Sequence, residues 1–222
     1  MNRRFDEVIE GLRSDLLRMG GRAEAILEKA LSAFFERDAT LAEEVAKDDI
    51  EIDRLEVSLD EGVLKALALQ APVAEALREV LAIKMIAVDL ERVGDLARNI
   101  ARCGQRRAAC DPISLPAGLT TLARASQRVL RHSLDAFSRT DADLARTVMA
   151  EDDEIDAIQD EVVQTMVRAL ENTTGSASQE VDILMVAKHL ERVGDHATNI
   201  AEDVILVVEA RNVKHEEKLA RS

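Results

Sequence analysis

Apolar side chains recur at three- and four-residue intervals over most of the chain, and the rhythm breaks at only a few places. Between residues 5 and 36 they fall at Val8, Leu12, Leu16, Met19, Ala23, Ile26, Ala30 and Phe34. That spacing predicts one amphipathic helix about 48 Å long at about 1.5 Å per residue, several-fold longer than an average globular helix. Asp38 and Thr40 then offer N-caps, Thr40 with Glu43 three residues on as a capping box. A second helix runs to about Leu69, where Pro72 stops it. A third, from about Ala74 to Arg107, carries Leu77, Leu81, Met85, Leu90, Val93, Ala97 and Ile100. The stretch from Ala108 to Pro116 holds two Pro and is the best linker in the sequence. It divides the chain into a first three-helix bundle at 1–108, a linker at 109–116 and a second three-helix bundle at 117–222. The second half predicts a helix from about Ala117 to Phe137, a turn at Ser138 to Thr140 and a helix to about Glu171. The polar segment NTTGSAS follows, and a last helix begins near Gln179.

The two halves repeat one another in residues as well as in lengths. Asp38-Ala39 recurs as Asp141-Ala142, Leu41-Ala42 as Leu144-Ala145, Val45 as Val148, and Glu51-Ile52-Asp53 as Glu154-Ile155-Asp156, all at one constant offset. Residues 83–101 and 183–201 agree at thirteen of nineteen positions, with the block LERVGD at 90–95 and again at 190–195. The first and fourth helices match hardly at all. Packing explains the apolar matches, Leu90, Val93, Ala97 and Ile100 with Leu190, Val193, Ala197 and Ile200. It does not explain why Glu91, Arg92, Asp95 and Asn99 recur as Glu191, Arg192, Asp195 and Asn199, since a merely solvated face has no reason to stay alike.

Composition supports the all-α reading. Gly and Pro together number 12 in 222 residues, against a usual share of about 12%, and the chain has no Tyr or Trp. Sandwiches and barrels need aromatic and β-branched residues and frequent turns. The longest aliphatic run, Val204 to Val208, is far short of the ~20 residues that span a bilayer. Asp6 and Glu7 stand where a signal peptide would be apolar, so the expected location is cytoplasmic. Cys103 and Cys110 lack zinc or redox spacing and read as reduced bystanders. A net charge of -14 disfavours nucleic acid and anionic lipid, and favours a basic protein surface or a multivalent cation. Exposed parts of the long amphipathic helices favour a homodimer.

The polar matches suggest where such a cation could sit. Glu91, Asp95 and Asn99 stack at i, i+4, i+8 on the side of the third helix opposite its apolar stripe, and are expected to face away from the core. Asp49 and Asp53 form an i, i+4 pair on the second helix; Asp152 with Asp156 and Glu191 with Asp195 repeat the arrangement. Paired carboxylate ladders on neighbouring helices present several oxygens to one spot, a ligand set for Mg, Ca, Mn or Fe. A metal-storing or redox helical protein of the ferritin type is the alternative. Against it, none of His132, His189, His196 and His215 has an acidic residue three positions before it. No GxxxxGKS/T, GxSxG or HExxH motif marks a nucleotide site or an activated nucleophile. Gly20-Gly21, inside the first helix, point to a close helix contact or a kink.

With these motifs in hand, nearly the whole chain resembles the PhoU family, accessory regulators of high-affinity phosphate transport. The likeness is carried by Met19-Gly20, the acidic Asp49 to Asp53 segment, Gln70-Ala71-Pro72 followed by Leu77-Arg78, and above all DLERVGDLARNIA at 89–101 and HLERVGDHATNIAED at 189–203. The resemblance implies two tandem three-helix bundles related by pseudo-twofold symmetry in a cytoplasmic protein. It also implies E(D)xxxD metal motifs, which fall on Asp49, Asp53, Glu91 and Asp95 and on Asp152, Asp156, Glu191 and Asp195, with iron, zinc, magnesium or manganese as the metal. The implied role is that of a non-enzymatic negative regulator of the phosphate-starvation response. Such a regulator links the ATPase subunit of the phosphate ABC transporter to a sensor histidine kinase, restrains uptake and meets the membrane only through those partners. The second half has no equivalent of Pro72, so the equivalence of the two bundles is open.

Overall fold

The computed structural model describes residues 3–172 and 177–214. His215 and most of the NTTGSAS segment lie outside the described residues. Six helices follow in order: α1 Arg3–Glu36, α2 Ala39–Gln70, α3 Ala74–Ala108, α4 Ala117–Arg139, α5 Ala142–Asn172 and α6 Ala177–Glu209. Helices α1, α2 and α3 pack into one bundle and α4, α5 and α6 into another. The bundles meet along α3 and α6, with a shorter contact between α1 and α4. Each contact between the halves thus pairs a helix with its counterpart in the repeat, the relation that a twofold axis between them produces.

The repeated Asp residues explain the tight turns that start α2 and α5. Asp38 accepts from the N–H groups of Thr40 and Leu41 at 2.8 and 3.0 Å, and Asp141 accepts from Asp143 and Leu144, both at 3.0 Å. The same two residues close the preceding helices. The Asp38 N–H donates to the Ala33 carbonyl at 3.0 Å and the Asp141 N–H to that of Ala136 at 2.9 Å, with Arg37 (φ 60°) and Thr140 (φ 55°) in the left-handed region. One Asp therefore ends one helix and begins the next, so α1 and α4 each double back within two residues. The cap of α2 is Asp38 and not Thr40, which sits inside the first turn. At the far end of α2, Ala71 turns left-handed (φ 42°) just ahead of Pro72 and the chain re-enters helix at Ala74.

The predicted stripe of α1 is buried from Leu12 to Phe34. In α3 the expected stripe holds from Leu90 onward but fails before it: Leu81 is exposed, and the buried positions are Ala76, Val80, Ala82, Ile83, Ile86 and Ala87. The reason is that α3 packs against α1, α2 and α6 at once, so its apolar surface is too broad for one stripe to represent. Gly20 provides the close helix contact that the Gly20-Gly21 pair suggested. A Cβ there would lie 2.7 Å from Leu134 on α4, whereas one at Gly21 meets nothing within 4 Å.

Candidate functional site

The carboxylate ladders lie along the seam between the second and third helix of each bundle. Glycine of the LERVGD block sets that seam. A Cβ on Gly94 would lie 3.1 Å from both Asp49 Oδ1 and Ile52 Cδ1, and one on Gly194 3.0 Å from Ile155 Cδ1. The missing side chains let α2 approach α3, and α5 approach α6, closely enough to press Asp49 and Asp152 against the neighbouring helix. The expectation that the ladders face away from the core fails here, because Asp49 is only 2% exposed. Asp53 remains exposed, while Glu91 and Asp95 are partly buried.

Burial and mutual repulsion push several of these carboxyls above their ordinary range. Asp49 is raised by burial, by Asp53 and by Asp95, with Arg98 opposing, and Glu91 by burial and then by Asp95. In the second bundle, burial raises Asp152, with a hydrogen bond from Thr198 opposing it, and burial and Glu191 raise Asp156. Asp195 is pushed up to about 6 by burial and by Glu191, Asp152 and Asp156, although part of the residue remains open to solvent. The structure thus brings Asp49, Asp53 and Asp95 within mutual influence, Glu91 with them through Asp95 and Asp53, and Asp152, Asp156, Glu191 and Asp195 likewise. Among the described residues, however, no three His, Cys, Asp or Glu side chains converge tightly enough to hold an ion as they stand.

The two clusters differ in their countercharge. In the first, the Arg98 guanidinium bridges Asp49 on α2 and Asp95 on α3. Arg92 adds contacts to Asp95 at 3.3 Å and to Glu91 at 3.4 Å. In the second, the position of Arg98 is taken by Thr198, whose hydroxyl donates to Asp152 at 3.2 Å. Lys188 reaches Glu191 Oε1 at 2.6 Å, and Glu191 Oε2 is buried without a hydrogen-bond partner. The donor set of the second cluster, four carboxylates with this orphaned oxygen among them, is of the chemistry that hard cations take. The first already holds a cationic side chain, so a metal ion does not fit it as it stands.

A second polar constellation joins the bundles and was not foreseen. His196 Nδ1 stands 2.7 Å from Asp89 Oδ1, which also accepts from Asn199 at 3.1 Å. Arg106 on α3 grips Asp182 on α6 through Nε at 3.0 Å. Arg13 of α1 donates to the carbonyls of Phe137 and Ser138 at the end of α4, at 2.7 and 2.8 Å, and lies over the Phe137 ring.

The deciding comparison is that a family model described as the PhoU domain matches the chain twice, at residues 16–104 and 119–204. The chain belongs to the PhoU family. It is 35% identical over 218 residues to the "Phosphate-specific transport system accessory protein PhoU homolog" of Pseudomonas putida, covering 97% of this chain and 84% of that protein. To the "Phosphate-specific transport system accessory protein PhoU" of Escherichia coli (strain K12) it is 29% identical over 211 residues, covering 95% of this chain and 88% of that one. Its structure matches the crystal structure of PhoU from Pseudomonas aeruginosa with a TM-score of 0.89 at 33% identity, over 93% of this chain and 100% of that chain. The PhoU family is one of non-enzymatic regulatory accessory proteins. Among the described residues, no helix is long and apolar enough to cross a membrane.

Proposed function

We propose that this chain is a cytoplasmic accessory protein of phosphate-specific transport that acts as a negative regulator of the phosphate-starvation response. It couples the ATPase subunit of a phosphate ABC transporter to a phosphate-sensing histidine kinase, biases that kinase toward its phosphatase state when phosphate is plentiful, and reaches the membrane only through these partners. The observation that carries the reading is the doubled PhoU-domain match, together with relatives named for phosphate-specific transport over nearly the whole chain. The bundles at 1–108 and 117–222 are the two domains of this regulator, connected through the 109–116 linker. The acidic surface of the chain, with its net charge of -14, favours basic partner surfaces. Two copies associate through the exposed parts of the long helices; light scattering that stays at 24.4 kDa across concentrations would count against this.

The carboxylate clusters supply the metal-dependent part of the proposal, with iron, zinc, magnesium or manganese as candidates. When bound, an ion would draw together side chains from two helices and so stiffen the seam between them. The regulatory reading is tested by alkaline phosphatase activity in the native host grown in high phosphate. A clean deletion is expected to show high activity that complementation silences. Repressed activity in both strains would leave the family membership intact and remove the regulatory role.

A further inference from the structure

Resting on the metal reading above, we infer that Arg98 is a built-in cation that replaces metal in the first bundle, so that metal is taken up by the second bundle alone. The two clusters are duplicates, which makes each the control for the other. They share the glycine that brings the helices together, the Asp at the seam (Asp49, buried, and Asp152, partly buried), and the Glu-x-x-x-Asp pair on the third helix. They differ beside the seam Asp itself at position 98 and its counterpart 198, where Arg faces Thr, and farther out the second cluster has Lys188 and His196 where the first has Val88 and Leu96.

The difference acts directly on the ligands. Arg98 contacts one carboxylate on each of the two helices, Asp49 and Asp95. A planar, permanently charged fork is suited to bridging two carboxylates, and its position is fixed by the backbone of α3. An ion entering there must displace a tethered guanidinium from a carboxylate that is 2% exposed, and it gains less because the site's charge is already partly neutralised. Thr198 donates one neutral hydroxyl to Asp152, and among the described residues no cationic side chain bridges the two helices there: Lys188 opposes Glu191 and Asp156, and His196 opposes Asp195. The unpartnered Glu191 Oε2 is the atom that an ion would satisfy. The first seam is therefore held permanently, and the second closes when metal is available.

The test uses the full-length protein, stripped with chelator and titrated with Mn2+, the free ion being counted by electron paramagnetic resonance and the fold followed by thermal melting. Wild type is expected to take up Mn2+ at a single cluster, losing it in Asp195→Asn and retaining it in Asp95→Asn. Arg98→Thr is expected to melt lower than wild type in chelator, to recover with Mn2+, and to gain a second uptake site that Asp95→Asn removes. Thr198→Arg tests the same idea in reverse, and keeps it testable should Arg98→Thr fold poorly: uptake is lost and melting ceases to depend on Mn2+. Equal uptake by both clusters of wild type overturns the role of Arg98 while leaving metal binding in place. Uptake by neither wild type nor Arg98→Thr removes the metal reading, and this inference with it.

Discussion

At the scale of single residues, two glycines in helices carry opposite meanings. A Cβ on Gly104 would lie 2.8 Å from the Ala33 carbonyl oxygen and 2.8 Å from Phe34 Cα. Both are backbone atoms of α1, so no rotamer change relieves the clash. Gly104→Ala is expected to force α1 and α3 apart at a cost of about 3 kcal/mol, the upper part of the range for overpacking. Gly21 is exposed, and a Cβ there meets nothing; Gly21→Ala should stabilise by about 0.5–1 kcal/mol through helix propensity alone. Urea denaturation of the two variants measures both, and a stable Gly104→Ala protein would mean that the helices do not cross this closely. Sequence alone registered Gly20-Gly21 as unusual yet could not tell which of the two faces another helix. Likewise repetition marks Asp49, Glu91 and Asp95 but not Arg98, because Arg98 is a position at which the halves differ. The mismatch of Arg98 with Thr198 inside an otherwise repeated block was the available signal, and its meaning needs the partner helix to be seen.

Among elements, the helices themselves were legible to within a few residues, because each is long and its ends are set by local chemistry. The Asp38-Ala39 and Asp141-Ala142 repeat is now a matter of turn geometry: a left-handed residue followed by an Asp that caps the next helix with its side chain. Asp141→Ala should cost about 1 kcal/mol, typical for removing an N-cap. Asp141→Ser should recover most of it, since a hydroxyl can accept the same N–H groups; melting temperatures of the three proteins decide the matter. A loss that Ser does not rescue would assign Asp141 a role other than capping. What periodicity misplaced was the first half of α3, where Leu81 is exposed and Val80, Ile83, Ile86 and Ala87 are buried. A helix with one partner shows its buried face as a single stripe. One enclosed by three partners shows apolar residues on most sides, and only the packing selects among them.

For the whole molecule, the decisive contacts run between halves, at sequence separations that no local pattern reports. Along α3 and α6 the union is polar as well as apolar, through Asp89 with His196 and Asn199, and Arg106 with Asp182. Asp203 belongs to the same region: it is fully buried, lies 2.8 Å from Lys214, and feels Asp89 across the interface. Burial, with a smaller contribution from Asp89, outweighs Lys214 and pushes its carboxyl up to about 6 from 3.8. The folded protein therefore holds this proton more tightly than the unfolded chain does. Stability falls as pH rises through about 6 and is regained as pH drops toward 3.8. Between pH of about 7.5 and 5.5 the gain from this one group is about 1 kcal/mol, because only part of the gap in pKa is traversed. Asp195 contributes in the same direction and His189, whose proton affinity burial lowers, in the opposite one, so the wild-type trend alone does not isolate Asp203. Asp203→Asn does, since a neutral amide of the same shape keeps the packing while removing the titration. Melting temperature should rise from pH 7.5 to 5.5 in wild type and rise less in Asp203→Asn, with the two proteins closer in stability at the lower pH. Parallel profiles would mean that Lys214 keeps Asp203 ionised throughout, and that the ion pair, rather than burial, governs this part of the interface.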